Sequence, residues 1–503
     1  MRDFFKRDSL RIVFIFLISA LFQFVAAESV HPDFEPLFSI DDVLGKNSKS
    51  AYTNYTADEV FEMSLLFSEC ERGSDVWKDC MEKFKAIKKE ASSKEMMKLG
   101  EEERGKAILK LLYRDYLKAY SLSQTKIDLA LEGGNYNCVS SAVLYMAAAK
   151  AAGLMVRGQK TTQHAFCSVY IEDPDNRGQL KKIDVETTNP YGFNPGSKEE
   201  IEHESQIKKY YVVPKKYYSN RQEISDGAFT GLIAGNLCSD YIKKADYKKG
   251  VPLGAARYDA VKLESPNSVD FVRSEFEILA ANYINIIPDS AGVFAGMLDW
   301  YYDFIERWGN SEFLQKNLDS SFINLLALCN REKNYTLAQA YYDKYKARVS
   351  QTMYAKADEI MTDIIIITST DNLSAKEKVE KTNQLMASDE LAGTNRQNRA
   401  QQHLEIFWIA YLNELMKAGE YIEGYSASST ALEQLPKSSK VKNMQTNFYN
   451  NLIAILHNGF ARYANAGDYE TARAILIEGL KKFPDDRILK KDLSDIDKLI
   501  NKR

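Results

Sequence analysis

The chain has 503 residues, of which 45% are hydrophobic and 27% charged, and its formal net charge is −4. This composition is typical of a folded globular protein, and it excludes a collagen-like, a low-complexity and a mostly disordered chain. Because the 66 Lys and Arg residues nearly balance the 70 Asp and Glu residues, no basic field indicates nucleic acid, and we expect no nucleic-acid partner.

Residues 1–27 have the pattern of a secretory signal peptide. A basic start precedes an apolar run from Ile12 to Phe24, and small residues follow, so we expect cleavage between Ala27 and Glu28. The apolar run is shorter than the roughly 20 residues of a membrane-spanning helix. The pattern therefore predicts export to the periplasm or the cell exterior, with no integral membrane segment left after cleavage. The alternative is an uncleaved anchor.

Export would permit disulfide bonds, and the chain has six cysteines. Cys70 and Cys80 lie in helical patterns on either side of Gly73. A possible disulfide between them would pin a helix hairpin, and the alternative is a pair of buried thiols. No cysteine or histidine spacing is that of a zinc site, and we expect neither a metal nor an organic cofactor.

The remaining chain falls into three stretches. Residues 28–105 begin with an extended arm and continue with apolar residues at helical spacing, which predicts an N-terminal helical region. Residues 106–220 contain most of the turn signals, a short Ala-rich helix and two strand-like runs. Residues 225–503 are helical again and rich in Tyr and Ala. The predicted fold class is therefore α+β, with a mostly helical C-terminal region.

The C-terminal region carries an irregular repeat in which a polar turn precedes a helix that opens at Tyr. The four openings are Tyr247, Tyr335, Tyr421 and Tyr469. The last unit is similar to the 34-residue helical hairpin of tetratricopeptide repeats, in degenerate form. Since one such hairpin cannot bury its apolar face alone, we expect neighbours to stack into a solenoid that offers a surface to a protein partner. The alternative is a generic helical bundle.

The segment GGNYNCVSSAVLYMAAAKAAG predicts a helix that begins close to Cys138. Asn135 or Asn137 can cap its start, and Gly153 can end it. In the first turn, unpaired backbone N–H groups and the helix dipole favour a thiolate over a thiol. The same N–H groups can stabilise an oxyanion on a carbonyl under attack. Cys138 is therefore a candidate nucleophile.

Two strand-like runs follow that helix and supply a histidine and a carboxylate. The alternating run QHAFCSVYI places His164 at the start of one strand, and LKKIDV places Asp184 on the next. A tight turn at Pro174 would bring Asp184 level with His164. A loop centred near Asn176 would instead place Asp184 opposite Ser168, about 13 Å away at roughly 3.3 Å per residue. The sequence leaves this register open.

These three segments resemble the transglutaminase-like core, a papain-related fold in which a Cys-bearing helix precedes an antiparallel sheet. The resemblance is carried by Cys138, Arg157, His164-Ala165-Phe166 and Asp184, in that order. It implies that Cys138 is the nucleophile, His164 the general base and acid, and Asp184 the residue that orients the histidine. The chain departs from the family pattern at Met155 and at the Val185-Glu186-Thr187-Thr188 run. Cys167 lies on the strand face opposite His164, so we reject it as the nucleophile.

The sequence therefore predicts an exported thiol enzyme that transfers acyl groups from peptide or glutamine amides. The substrate would be a protein or peptide, and the acceptor either water or a second amine. The alternative is a non-catalytic interaction protein that binds a partner on the helical repeats and keeps the Cys–His core as a structural relic. A carbohydrate-active protein is disfavoured because no paired-carboxylate motif is evident.

Overall fold

The computed structural model describes residues 31–44, 54–196, 201–203, 213 and 220–501. The predicted signal peptide lies outside these ranges. The chain divides into two compact units, the first made of Met1–Ile287 with Gly296–Asn317 and the second of Pro288–Ala295 with Leu318–Arg503. Most described residues are helical, and the β-structure is a small antiparallel sheet and one short parallel pair, so the broad α+β class is confirmed.

The first unit opens with an extended arm and a group of helices. These are α1 (Asp41–Leu44), α2 (Ala57–Phe67), α3 (Asp75–Ala91), α4 (Lys94–Met97) and α5 (Glu101–Asp115). Hydroxyl side chains fix three of the starts, because Thr56, Ser74 and Ser93 each accept a hydrogen bond from a first-turn backbone N–H. The predicted N-terminal helices are therefore present.

The middle of the first unit combines a sheet with one buried helix. Its elements are β1 (Ala119–Tyr120), α6 (Ile127–Gly133), β2 (Asn135–Tyr136), α7 (Cys138–Ala151), β3 (Met155–Lys160), β4 (Ala165–Glu172), β5 (Leu180–Val185) and β6 (Gln222–Ile224). Strands β3, β4, β5 and β6 form an antiparallel sheet in the order β5-β4-β3-β6, and β1 pairs with β2 in parallel.

Helix α7 is the centre of the first unit. Residues from Val139 to Ala149 are buried on every side of the helix. Helices α2, α3 and α5 pack on it, as do strands β3 and β4. A run of alanines permits this close approach, and the thiol of Cys167 on β4 donates to the carbonyl of Ala142 at 3.3 Å. Helix α7 thus packs both on helices from residues 28–105 and on strands from residues 106–220. The predicted boundary at residues 105/106 therefore does not coincide with the division between the two units.

Helices complete the first unit and lead into the second. They are α8 (Asp226–Thr230), α9 (Leu232–Lys244), α10 (Tyr247–Asp259), α11 (Pro266–Ile284), α12 (Ala291–Trp308) and α13 (Glu312–Glu332). The arm packs on two of them. Trp300 Nε1 donates to the carbonyl of Pro32 at 2.6 Å, and the Nδ1 of His31 lies 2.6 Å from the hydroxyl of Tyr283. The predicted repeat region from residue 225 thus begins inside the first unit.

The second unit is a succession of helices. They are α14 (Tyr335–Tyr345), α15 (Gln351–Thr370), α16 (Ala375–Met386), α17 (Thr394–Ala418), α18 (Tyr421–Gln434), α19 (Ser439–Asn465), α20 (Tyr469–Lys482) and α21 (Arg487–Ile500). From α16 onward, each helix packs on the next along the chain. The prediction that helices open at Tyr247, Tyr335, Tyr421 and Tyr469 is confirmed at all four positions.

Cys70 and Cys80 are both buried free thiols, so the possible disulfide between them is not formed in this structure. Burial, together with the charge of Cys70 and nearby carboxylates, raises the pKa of Cys80 to about 12. Both are therefore buried, unreactive thiols, which is the alternative that the sequence left open. Of the helices within the described ranges, none is long and apolar enough to cross a lipid bilayer.

Candidate active site

Cys138 is the first residue of α7, and the residue before it fixes the start of that helix. Of the two asparagines that could cap it, Asn137 does so: its Oδ1 accepts from the N–H of Val139 at 2.9 Å and of Ser140 at 3.0 Å. In return, the backbone N–H of Asn137 donates to Ser140 Oγ at 3.0 Å, which completes a capping box. The sulfur of Cys138 is therefore carried on a rigid turn.

The cap changes the expected oxyanion site. Two of the first-turn donors, the N–H groups of Val139 and Ser140, are used by Asn137. The N–H of Cys138 itself is the first-turn donor that this side chain does not take. An oxyanion at this helix would therefore rest on that single group and on side chains of the surrounding cleft, rather than on several backbone N–H groups.

His164 lies one residue before β4 and is held by a tight turn, since the N–H of Thr161 donates to the carbonyl of His164 at 2.8 Å. The imidazole is only 2% exposed. Its Nε2 lies 2.7 Å from Oε2 of Glu186, and its side chain lines the same cleft as Cys138. Because Nε2 serves the carboxylate, His164 lies between Glu186 and the cleft that Cys138 lines.

Glu186 is fixed as firmly as the histidine that it contacts. Its Oε1 accepts from the backbone N–H of Thr188 at 3.1 Å and from the Thr188 hydroxyl at 2.8 Å. The side chain is 3% exposed, and its own N–H donates to the carbonyl of Gly192 at 2.7 Å. A carboxylate that is held through its second oxygen can keep an imidazole in one orientation and one tautomer.

The electrostatics of His164 favour its charged form. Burial by itself lowers the pKa of an imidazole, but here hydrogen bonds to Cys138 and Glu186, with the attraction of their charges, raise the pKa of His164 to about 10. At neutral pH the ring is therefore an imidazolium.

The prediction of Asp184 as the orienting carboxylate is corrected. The loop between β4 and β5 runs from Asp173 to Gln179, and the resulting register pairs Asp184 with Ser168. Asp184 accepts from the Ser168 hydroxyl at 2.8 Å and forms an ion pair with Arg221. The physical reason is the wide loop, which shifts β5 along β4 so that the next carboxylate on the same face, Glu186, reaches His164.

The sequence did contain a signal for Glu186. Residues two apart on a strand share one face, so Glu186 lies on the same face as Asp184, although from the sequence we considered Asp184 alone. Glu186 is also followed two residues later by a threonine, which now holds its second oxygen. Arg157, quoted for the family resemblance, lies outside this constellation: its Nη1 donates to Asn54 Oδ1 at 3.2 Å and lies 3.8 Å from the buried Asp226.

Cys138 and His164 open into one cleft of about 610 Å³. Other parts of its wall come from the segment 160–165 and from helices α9, α10 and α11. Of the six cysteines, Cys138 is partly exposed and the other five are buried. Cys167, which we rejected as nucleophile, is 0% exposed. The accessible thiol of the chain is thus the one beside the histidine.

Within the described ranges, no three His, Cys, Asp or Glu side chains are grouped so that they could hold a metal ion. The side chains of this arrangement supply a sulfur nucleophile, an imidazole that can move a proton, and a carboxylate that positions the imidazole. Comparisons of the chain with protein-family models, curated proteins and solved structures return no match.

Proposed function

We propose that the protein is a thiol-dependent acyl-transfer enzyme that acts on peptide or glutamine amides through Cys138, His164 and Glu186. One observation carries the proposal: the accessible thiol at the start of α7 lines the same cleft as a buried histidine, which is itself hydrogen-bonded to a buried, immobilised carboxylate. Nucleophile, base and orienting residue are the three parts that covalent catalysis by a cysteine requires.

The steps follow from this geometry. The Cys138 thiolate attacks the amide carbonyl, and the oxygen gains negative charge near the N–H of Cys138. The His164 imidazolium then gives its proton to the nitrogen as the C–N bond breaks, which leaves a thioester and a free amine. Water, or a second amine, next gives a proton to His164 and attacks the thioester. The products are an acid or a new amide, with the thiolate and the imidazolium restored.

The proposal includes a transglutaminase-like core. Its support is the order of the elements: a helix that begins at the cysteine, then antiparallel strands with the histidine at the start of one and a carboxylate just beyond the end of the next. Here the carboxylate is Glu186 and not Asp184. We also propose export, on the pattern of residues 1–27, which would place the substrate outside the cytoplasm.

Alkylation of Cys138 tests the proposal without knowledge of the substrate. Iodoacetamide at pH 6–7 should modify one thiol rapidly, and mass spectrometry should identify it as Cys138. Since Cys138 is also the exposed thiol, speed alone does not show activation. The matched variant His164→Ala keeps the exposure and removes the imidazolium, so it should react at least about tenfold more slowly. Equal rates in the two proteins would refute the proposal.

The reaction type needs a second assay. A fluorogenic peptide library should be cleaved by the natural protein and not by Cys138→Ser, in which a hydroxyl replaces the thiol. Addition of a fluorescent primary amine then separates the outcomes. Incorporation of the amine into a glutamine-containing protein indicates transamidation, whereas cleavage without incorporation indicates hydrolysis.

The second unit supports a further candidate role, the binding of a protein partner. From α16 onward, consecutive helices pack side by side, which is the arrangement of helical-hairpin proteins. Its surface carries exposed isoleucines at 406, 422 and 455. We propose this role in addition to the catalytic one. If iodoacetamide labels all six cysteines equally slowly, the catalytic proposal is refuted and only the binding role remains.

A further inference from the structure

Arg257 is a buried cation in the wall of the candidate active-site cleft. It lies on α10, and its side chain is 4% exposed. One nitrogen, Nη1, donates to Glu275 on α11. The other two nitrogens, Nε and Nη2, are buried and have no hydrogen-bond partner among the described residues. Buried polar groups are usually satisfied, and an unpaired donor on a charged group is costly.

The surroundings of Arg257 are built to accommodate this guanidinium. A Cβ on Gly235 would lie 2.7 Å from Nη1 and 2.8 Å from Cζ, so the glycine leaves the space that the guanidinium fills. The ring of Phe271 lies 5.6 Å from Cζ of Arg257 and 4.4 Å from Nζ of Lys160. Two cations therefore flank one aromatic ring at this side of the cleft.

The position of Arg257 connects it with the candidate catalytic residues. Arg257 and Glu275 line the cleft of about 610 Å³ that Cys138 and His164 also line. The same two residues line an adjoining cavity of about 270 Å³. The guanidinium thus stands where the two spaces meet. Its partner Glu275 has a side chain that is 45% exposed and can be solvated if it moves aside.

We propose that Arg257 forms a subsite for a carboxylate of the substrate, which would pair with the guanidinium when Glu275 moves aside. The inference rests on the proposed function and narrows its substrate to peptides that carry a carboxylate near the amide under attack. A planar guanidinium matches a carboxylate in two parallel hydrogen bonds. A dianion such as a phosphate is disfavoured, because the carboxylates of Glu275 and Asp240 line the same cleft.

Protection of Cys138 against iodoacetamide tests this subsite. Three mixtures of N-acetylated tripeptides serve as probes: one with free carboxyl ends and no acidic side chains, one with amidated ends and no acidic side chains, and one with amidated ends and a Glu or Asp side chain. At least one carboxylate-bearing mixture should protect Cys138 at about tenfold lower concentration than the neutral mixture. The first and third mixtures distinguish a terminal from a side-chain carboxylate.

Substitutions then assign the effect to Arg257. In Arg257→Gln the advantage of the carboxylate mixtures should disappear, whereas Lys243→Gln, which removes another cation of the same cleft, should keep it. If Arg257→Gln does not fold, Glu275→Gln replaces it. That variant removes the competing carboxylate, so protection by the carboxylate mixtures should improve several-fold.

The outcomes separate this inference from the proposed function. Rapid labelling of Cys138 that depends on His164, combined with equal protection by all three mixtures, would overturn the subsite and leave the proposed function standing. The subsite would also be overturned if the carboxylate mixtures still protected Cys138 better than the neutral mixture in Arg257→Gln, or if they protected it less well in Glu275→Gln. Labelling that does not depend on His164 would overturn both.

Discussion

The His164–Glu186 hydrogen bond joins two ionisable side chains that are almost fully removed from water, with exposures of 2% and 3%. Such a pair holds its charges only because each partner compensates for the lost hydration of the other. Removal of one partner would leave the other buried and alone, which is why the pair should matter both to the reactivity of Cys138 and to the stability of the fold.

We predict that the free energy of unfolding depends on pH through His164. Its pKa is raised from the ordinary value of 6.5 to about 10, by Cys138 and Glu186 against the effect of burial. Stability from this group is therefore fully present below pH 6.5 and is lost as the pH rises through 10. Urea unfolding between pH 6 and 10 measures the loss. Glu186→Gln should flatten the alkaline part of the curve, and Asp184→Asn, the matched control, should not.

The candidate site was partly predictable at the residue scale. Cys138 and His164 follow from local patterns, a helix start and a strand start, and the structure places them together. The choice between Asp184 and Glu186 depended on the register of β4 and β5, which is set by how the loop from Asp173 to Gln179 closes. That closure is a property of several backbone hydrogen bonds and is not fixed by Pro174 alone.

At the scale of elements, the start of α7 decides where the sulfur of Cys138 lies. Asn137 supplies the cap, and its Nδ2 also donates to the carbonyl of Leu122 at 3.2 Å. The side chain therefore fastens the helix start to the preceding loop. An error of about 1 Å in the position of a nucleophile is enough to reduce its reactivity greatly.

Asn137→Ala should destabilise the protein by about 1 kcal/mol, which is the usual cost of a lost N-cap. It should also slow the alkylation of Cys138 by iodoacetamide, since the helix start is no longer fixed. Urea unfolding gives the first quantity and mass spectrometry the second. Asn137→Asp keeps an accepting oxygen at the cap and should recover most of the stability. A stability equal to that of the natural chain in Asn137→Ala would show that the cap is dispensable.

The elements themselves followed well from the sequence. The two strand-like runs form β4 and β5, whereas β3 and β6 were not predicted, and α10, α14, α18 and α20 begin at the expected tyrosines. The acidic or amide residue before each tyrosine marks the turn, and these are local signals. The two-residue strands β1 and β2 were not predicted, because strands this short carry no periodic pattern.

At the scale of the whole molecule, the two units interleave along the chain. Gly296–Asn317 belongs to the first unit although Pro288–Ala295, just before it, belongs to the second. The reason lies in α12, where Tyr301 and Phe304 are fully buried and Arg307 forms an ion pair with Glu35 of the arm. Partners so distant in sequence leave no trace in local patterns, so an exchange of this kind is not predictable from them.

A chain that ends at residue 317 should therefore fold better than one that ends at residue 287. The shorter chain lacks Trp300, Tyr301 and Phe304, and large core aromatics contribute about 3–5 kcal/mol each. We expect the longer chain to melt cooperatively by circular dichroism and to label Cys138 as the whole protein does. The shorter chain should show a broad transition or aggregate. Equal melting temperatures would contradict the assignment of Gly296–Asn317 to the first unit.

The arm that contains Pro32 also has a consequence for biosynthesis. The hydrogen bond from Trp300 to Pro32 joins residues 268 positions apart. At about 5–20 residues per second, ribosomes need on the order of 15–50 s to add that length. The arm therefore leaves the ribosome well before helix α12, on which it packs, has been synthesised. Machinery that translocates nascent chains would therefore receive the arm before Trp300, its hydrogen-bond donor, has been synthesised.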